Sequence, residues 1–316
     1  MSTSLIVRRL SGPLLLLALL VVAGCGPGAG GGSSEVQLTV TRDFGSRLLI
    51  SKSVSGLPES ETAMRLLGRE AKLTTSYGGG FVQSVDGVKG GRQAGNPVDW
   101  FYFVNGREAP RGATATRVRP GDSVWWDFRN WGEATNVPAV VGSFPEPFVH
   151  GPGTEKRLPV KVECIEVDSD PCRAVSRALA AQDVPVATSA FRSQVSEETI
   201  RVLVGQWSQL RDETSILTIE DGPGASGVYA RPSASGKTIA VLDPEGRTVR
   251  TLGAGAGLVA ATASGEGPPV WVVSGTDAAG LAAAAAALTP GKLRNRYAVV
   301  VEGSRVIAAP QPEGGR

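Results

Sequence analysis

Residues 98–104 read Val-Asp-Trp-Phe-Tyr-Phe-Val, and residues 124–128 read Val-Trp-Trp-Asp-Phe. Successive side chains of a strand point to opposite faces of its sheet. Trp100 and Tyr102 therefore share one face, and Phe101 and Phe103 the other. In the second strand Val124, Trp126 and Phe128 oppose Trp125 and Asp127. Rings on both faces need cover on both, because a large apolar patch left in water usually marks an interaction site. Any fold for this chain has to say what lies on each side of these two strands.

The neighbouring segments supply one cover. Residues 35–42 alternate polar and apolar, the pattern of a half-buried strand. A second strand over 47–54 follows the turn-like Asp43-Phe44-Gly45. Ser60 is a suitable N-cap for a helix over 61–73, with Ala63, Leu66, Leu67 and Ala71 at helical spacing and Glu61 in the first turn. Strands over 81–85, 98–104 and 113–128 come next, with turns at Asn105-Gly106 and Pro120-Gly121-Asp122. Two strands, one helix and then further strands is the order of a β-grasp, ubiquitin-like fold, whose helix covers one face. The other face is then an open site, with Trp131 at its rim, or it is covered by residues 133–150 or by the second half. Val137, Val140, Phe144 and Phe148 are available as cover.

Three blocks in this region carry a family resemblance: Tyr77-Gly78-Gly79-Gly80-Phe81-Val82-Gln83-Ser84-Val85-Asp86-Gly87, Asp99 to Gly106, and Pro120 to Trp126. Together they resemble the transcobalamin C-terminal-like domain, over roughly residues 35–135. The resemblance implies a β-grasp that contributes to binding cobalamin or a similar corrinoid. The binding residues expected on this basis are Tyr77, Phe81, Trp100, Tyr102, Trp125, Trp126 and Trp131. The helical barrel that binds most of the cobalamin in the transcobalamins has no counterpart here, so a small ligand or partner on the β-grasp is the safer inheritance. His150 is the one imidazole. It is read as a linker residue, the alternative being a ligand to the cobalt of a corrin.

The N-terminus reads as an address. Arg8-Arg9 precede an apolar stretch over 14–22, too short to span a bilayer, and small residues lead to Cys25. Val21-Val22-Ala23-Gly24-Cys25 resembles the lipobox of bacterial lipoproteins. That implies a signal peptide over 1–24, lipidation of Cys25, and anchoring at the outer face of the cell membrane by acyl chains in the bilayer. Residues 25–34 form a Gly/Ser-rich tether. In an exported chain the remaining pair, Cys164 and Cys172, is read as a disulfide.

The second half alternates strands with helices, which argues an α/β layer structure. Strands are expected at 159–167, 200–204, 216–219, 238–242, 248–252, 269–273, 297–302 and 305–308. Helices are expected at 172–181, from Ser208 onward, and over the alanine-rich 278–288, capped by Thr276 or Asp277. Gly253-Ala254-Gly255-Ala256-Gly257 is read as a flexible turn. Gly236-Lys237-Thr238 is not a phosphate loop, because a strand follows where a helix must.

The expected fold class is therefore α+β. A β-grasp domain occupies 35–135, a Pro-rich linker 136–154, and an α/β domain with a mixed sheet 155–310. Arg8 and Arg9 account for the excess of 32 basic over 30 acidic residues, so the processed chain is formally neutral and has no field for nucleic acid. One His and few Cys leave no ordinary zinc site, and no nucleophile-and-base pair stands out. The expectation is a surface lipoprotein without enzymatic activity, binding a small ligand, a corrinoid among the candidates, for a membrane importer. The alternative is an interaction or scaffold module without a small ligand.

Overall fold

A computed structural model describes residues 1–2, 35–153 and 156–311. Most of the expected signal peptide over 1–24, lipidated Cys25 and the tether over 25–34 lie outside the described residues. Among the described residues no helix is long and apolar enough to cross a membrane.

The first half opens with a hairpin of β1 (Val36–Arg42) and β2 (Arg47–Val54), and Val36, Leu38 and Val40 point into the core. At its tip Gly45 has φ +80°, and a Cβ there would lie 1.9 Å from the Asn295 carbonyl oxygen of the second half. The helix α1 (Ala63–Glu70) buries Ala63, Met64, Leu66 and Leu67. Its cap is Thr62, whose hydroxyl accepts from the Arg65 N–H, and not the expected Ser60. The helix stops before the expected Leu73, because Ala71 is extended and Leu73 opens the next strand. A small sheet follows, made of β3 (Leu73–Ser76), β4 (Phe81–Val85) and β5 (Val88–Lys89). Then come β6 (Gly91–Gln93), β7 (Asn96–Val104), β8 (Arg107–Glu108) and β9 (Ser123–Asn130). The main sheet runs β2-β1-β9-β7-β6, with β8 on β7 and with β1 and β9 parallel at its centre.

Residues 113–122, expected to begin a strand, form a turn-rich connection instead. The helix explains this. Carbonyl oxygens of Ala113 and Thr116 accept from the N–H groups of Met64 and Ala63, donors that a helix start leaves unpaired. β9 begins only after the Pro120-Gly121 break.

The second half contains β10 (Val160–Cys164), α2 (Asp170–Ala180), β11 (Val186–Ala190) and β12 (Ile200–Gln206). Three short helices follow: α3 (Trp207–Leu210), α4 (Thr214–Glu220) and α5 (Pro223–Ser226). A three-stranded sheet is built from β13 (Ala230–Pro232), β14 (Ile239–Leu242) and β15 (Thr248–Leu252). The chain ends through β16 (Ala256–Thr262), β17 (Val270–Gly275), α6 (Ala278–Ala285), α7 (Pro290–Leu293), β18 (Ala298–Glu302) and β19 (Arg305–Ala309). The large sheet is mixed, as expected, in the order β11-β10-β12-β17-β16-β18-β19. Its first four strands are parallel and the rest antiparallel. The Cys164–Cys172 disulfide ties the end of β10 to the start of α2.

Two expectations fail here for physical reasons. The apolar run over 216–219 lies in a helix, because Ile216 and Ile219 are three apart and bury one helical face. The glycine-rich 253–257 is only partly a turn, since Ala256 and Gly257 open β16, which is buried throughout. Small residues there let α6 lie at backbone contact. A Cβ on Gly257 would meet the Gly280 carbonyl oxygen at 2.3 Å.

Within the expected linker over 136–154, the described residues 136–153 are not an exposed connection, and the two halves share one core. Val137 and Val140 pack with Phe44, Phe103 and Trp125 of the first half and with Trp207, Tyr229 and Tyr297 of the second. Val141, Phe144 and Phe148 enter the second-half core, where the Phe148 and Trp271 ring centroids are 4.9 Å apart.

Candidate functional site

The two aromatic strands pair antiparallel, so Trp100 sits beside Phe128, Tyr102 beside Trp126 and Phe103 beside Trp125. Trp100, Tyr102, Trp126 and Phe128 face α1, and the Tyr102 and Trp126 rings stack with centroids 4.6 Å apart. The opposite face, the one that could have stayed open, is closed by the second half. Tyr297 packs edge-on against Phe103 and Trp125 at 5.6 and 5.4 Å. Phe101 is capped by the Arg129 guanidinium 3.8 Å above its ring. Of the two alternatives for this face, cover by the second half holds and the open site does not: the second half supplies the missing layer.

That seam carries a buried polar network. Asp127 is wholly buried, and its Oδ1 accepts from the Thr41 hydroxyl (2.5 Å) and the Gly45 N–H (3.1 Å). Its Oδ2 accepts from the Tyr297 hydroxyl at 2.9 Å, and the Trp125 indole donates to Thr41 Oγ1 at 2.7 Å. Burial pushes the Asp127 carboxyl up to about 6, and the hydrogen bonds from Thr41, Tyr297 and Gly45 with the Arg129 charge offset only part of the desolvation. Burial likewise raises the Tyr297 hydroxyl well above its ordinary value, with the Asp127 charge adding to the effect.

Open space takes lining from both faces of β7, with Trp100 and Tyr102 on the α1 side and Phe101 on the other. A cleft of about 780 Å³ runs between β7, the 107–116 segment and the 263–267 loop of the second half. Phe81, Trp100, Phe101, Tyr102 and Trp126 give it aromatic walls, and Arg107, Glu108, Arg111 and Glu266 bring charge. Arg107 bridges the halves, donating from Nη1 to the Pro138 carbonyl (3.3 Å) and from Nη2 to the Gly265 carbonyl (2.5 Å). Glu108 pairs with buried Arg129 at 3.3 Å and accepts from the Val137 N–H at 2.7 Å. Burial raises its carboxyl above the ordinary range, and the Arg129 charge opposes that rise. The Tyr102 hydroxyl donates to the Arg111 carbonyl at 2.5 Å and lies 2.8 Å from Thr116 Oγ1.

Of the residues expected to bind, Phe81, Trp100, Tyr102 and Trp126 line this cleft. Tyr77 does not. It stands almost fully exposed, its ring 6.4 Å from that of Phe81 at the rim, with φ +52°. Trp125 lies on the opposite face, in the seam. Trp131 is outside the cleft, half-buried beyond the end of β9, its N–H bonded to the Pro97 carbonyl. His150 is also outside, its Nδ1 2.5 Å from Glu146 Oε1. That hydrogen bond raises its pKa, and a Cβ on Gly121 would touch its ring. The charged residues of the 107–116 segment and the 263–267 loop were not anticipated. Their role depends on the docking of the two halves, and nothing in their local pattern signals it.

Residues 60–130 match DUF4430, a domain of unknown function. A solved structure from Ruminococcus gnavus ATCC 29149, described as "a putative metal binding protein", is similar at 16% identity. The match covers 31% of this chain and 98% of that one, with a TM-score of 0.25. No curated protein matches. Among the described residues no group of three or more His, Cys, Asp and Glu side chains is placed to hold a metal ion.

Proposed function

We propose that this chain is a non-catalytic binding protein of the outer face of a bacterial membrane, anchored through Cys25, whose interdomain cleft takes a small, largely apolar ligand. One observation carries the reading: a cleft of about 780 Å³ with aromatic walls and a few charged groups, built by both halves. Small-ligand sites are typically roughly 300–1,000 Å³, mostly apolar, and often lie between domains. The resemblance of residues 35–135 to the transcobalamin C-terminal-like domain makes a corrinoid the first class to test, for delivery to an importer.

The test is titration of the full chain with cyanocobalamin and with dicyanocobinamide, read by difference spectrum and calorimetry. Saturable binding of either, weakened at least tenfold by Phe81→Ala, is the expected result. Absence of heat, spectral change and thermal shift with both would refute the corrinoid assignment. The anchor is checked separately by palmitate labelling, which Cys25→Ala should abolish.

A second reading has its own support. Tyr77 and Phe81 form an exposed aromatic pair at the rim, and such rings are frequent anchors of protein interfaces. The scaffold reading places a protein partner there. Replacing both rings by Ala would then remove partner capture by the full chain while leaving its melting temperature unchanged.

A further inference from the structure

β7 has one edge on β9 and the other shared by two short strands. The Pro97 carbonyl accepts from the Trp131 N–H, and the Asn105 N–H donates to the Ser123 carbonyl. Odd-numbered positions from 97 to 105 therefore bond to β9, and Val98, Trp100, Tyr102 and Val104 present their backbone groups to the other edge. There β6 pairs as far as Val98, and β8 covers the strand from Phe103 onward. The Tyr102 carbonyl is taken by the Ala109 N–H at 3.1 Å, and the Trp100 N–H by Asp99 Oδ1 at 2.9 Å. The Trp100 carbonyl and the Tyr102 N–H are left. Among the described residues neither joins a strand ladder or meets a loop partner.

The cleft runs along this gap. Trp100, Phe101 and Tyr102 line it in succession, with rings from both faces of β7. Open space that touches both faces of a strand lies at its edge, and β9 occupies the other edge. An unpaired strand edge is a template for another extended chain. The two free groups are the pair that a parallel neighbour uses. A residue opposite Phe101 donates its N–H to the Trp100 carbonyl and accepts at its own carbonyl from the Tyr102 N–H. Antiparallel addition would need the Trp100 N–H, which Asp99 holds.

We propose that the cleft is a strand-addition site, taking a short extended peptide that lies parallel to β7 and bonds the Trp100 carbonyl and the Tyr102 N–H through one residue. This rests on the cleft being a small-ligand site and names a peptide as its ligand class. Alternate side chains of an extended chain point to opposite sides. The cleft meets them with Trp100, Tyr102 and Trp126 on one side and Phe101 on the other. A tetrapeptide spans roughly 13 Å, the reach of residues 99–102. Main-chain bonds supply affinity, and the ring-lined walls select apolar side chains.

The test uses the full chain labelled with carbonyl-¹³C phenylalanine and amide-¹⁵N tyrosine. Phe101-Tyr102 is the one Phe-Tyr pair in the sequence, so a single coupled amide signal reports Tyr102. The probes are N-acetylated, C-amidated tetrapeptides of Val, Leu and Phe, with cyanocobalamin alongside. At least one peptide should bind saturably, move the Tyr102 signal downfield and slow its exchange with solvent. N-methylation of one amide of that peptide should weaken it about tenfold, the loss of one hydrogen bond, while the same change at the next amide should cost less than twofold. This series alters the probe and not the chain, so the fold is untouched. Binding that leaves the Tyr102 signal in place, or N-methylation that weakens every position equally, overturns strand addition. If no peptide binds but cyanocobalamin does, the peptide assignment is wrong and the small-ligand reading stands. If neither binds, both fall.

Discussion

Asp127 is a carboxyl group with no solvent access, held between three donors at the seam of the two halves. Its folded-state pKa is about 6, against an ordinary 3.8. For a group raised on folding, the stability contributed by its proton is fully present below the unfolded value and lost as pH rises through the folded one. The full amplitude is about 3 kcal/mol, at 1.36 kcal/mol per pKa unit. Between pH 5 and pH 8, where the group passes from mostly protonated to ionised, the linkage relation leaves about 1.4 kcal/mol of it. Asp127→Asn removes the titration and keeps the geometry. Its oxygen still accepts from Thr41 and Gly45, and its amide donates to the Tyr297 oxygen. Urea unfolding of both chains at pH 5, 6, 7 and 8, followed by tryptophan fluorescence, isolates the effect. The raised carboxyls of Asp99, Glu108 and Asp122 act in both chains and cancel from the difference. The stability of wild type relative to variant should fall by about 1.4 kcal/mol from pH 5 to pH 8. A difference flat to within roughly 0.3 kcal/mol, the usual scatter of such comparisons, or one of opposite slope, refutes the reasoning from burial.

Two further outcomes follow from charge and covalent geometry. Arg201 donates to Glu163, which is buried, from Nε (2.8 Å) and Nη2 (3.0 Å), and also binds Glu213. Arg201→Met strands the Glu163 charge and should cost about 3–5 kcal/mol in urea unfolding, whereas Arg192→Met, whose partner Asp212 is exposed, should cost less than about 0.5 kcal/mol. Equal effects would remove burial as the deciding factor. The Cys164–Cys172 bridge spans a sequence separation of 8, so replacing both cysteines by Ala should lower stability by about 2.5 kcal/mol, most of it through a freer unfolded chain. A loss below about 0.5 kcal/mol would show that the bridge constrains little.

Local pattern carried much of the fold. The alternation at 35–42 and 98–104 became β1 and most of β7, and the alanine-rich run after Asp277 became α6, its cap oxygen accepting from the Gly280 N–H. Failures fell where local pattern is ambiguous or overruled. Residues 216–219 are too few to separate a strand from a helix by period. The 113–122 segment gave up its pairing to cap α1. Phe44 looked like part of a turn, yet it packs against Tyr229 and Tyr297, at 5.0 and 5.1 Å. Of the candidate site, the aromatic wall was readable because rings on known strands have known faces. The charged groups were not, because Arg107 meets Gly265 across 158 positions of chain.

Chain order and side-chain period alone determined which residues had to leave water, and that the sheet of β7 and β9 needed a layer on each side. They could not say what would form the second layer. Tyr297 reaches Asp127 across 170 positions, and the residues near it carry no mark of that meeting. Periodicity records that a face is buried, whereas the partner that buries it is selected only when distant surfaces fit together in three dimensions. The closing of one aromatic face, and the opening of a cleft alongside β7, were therefore decided by tertiary packing.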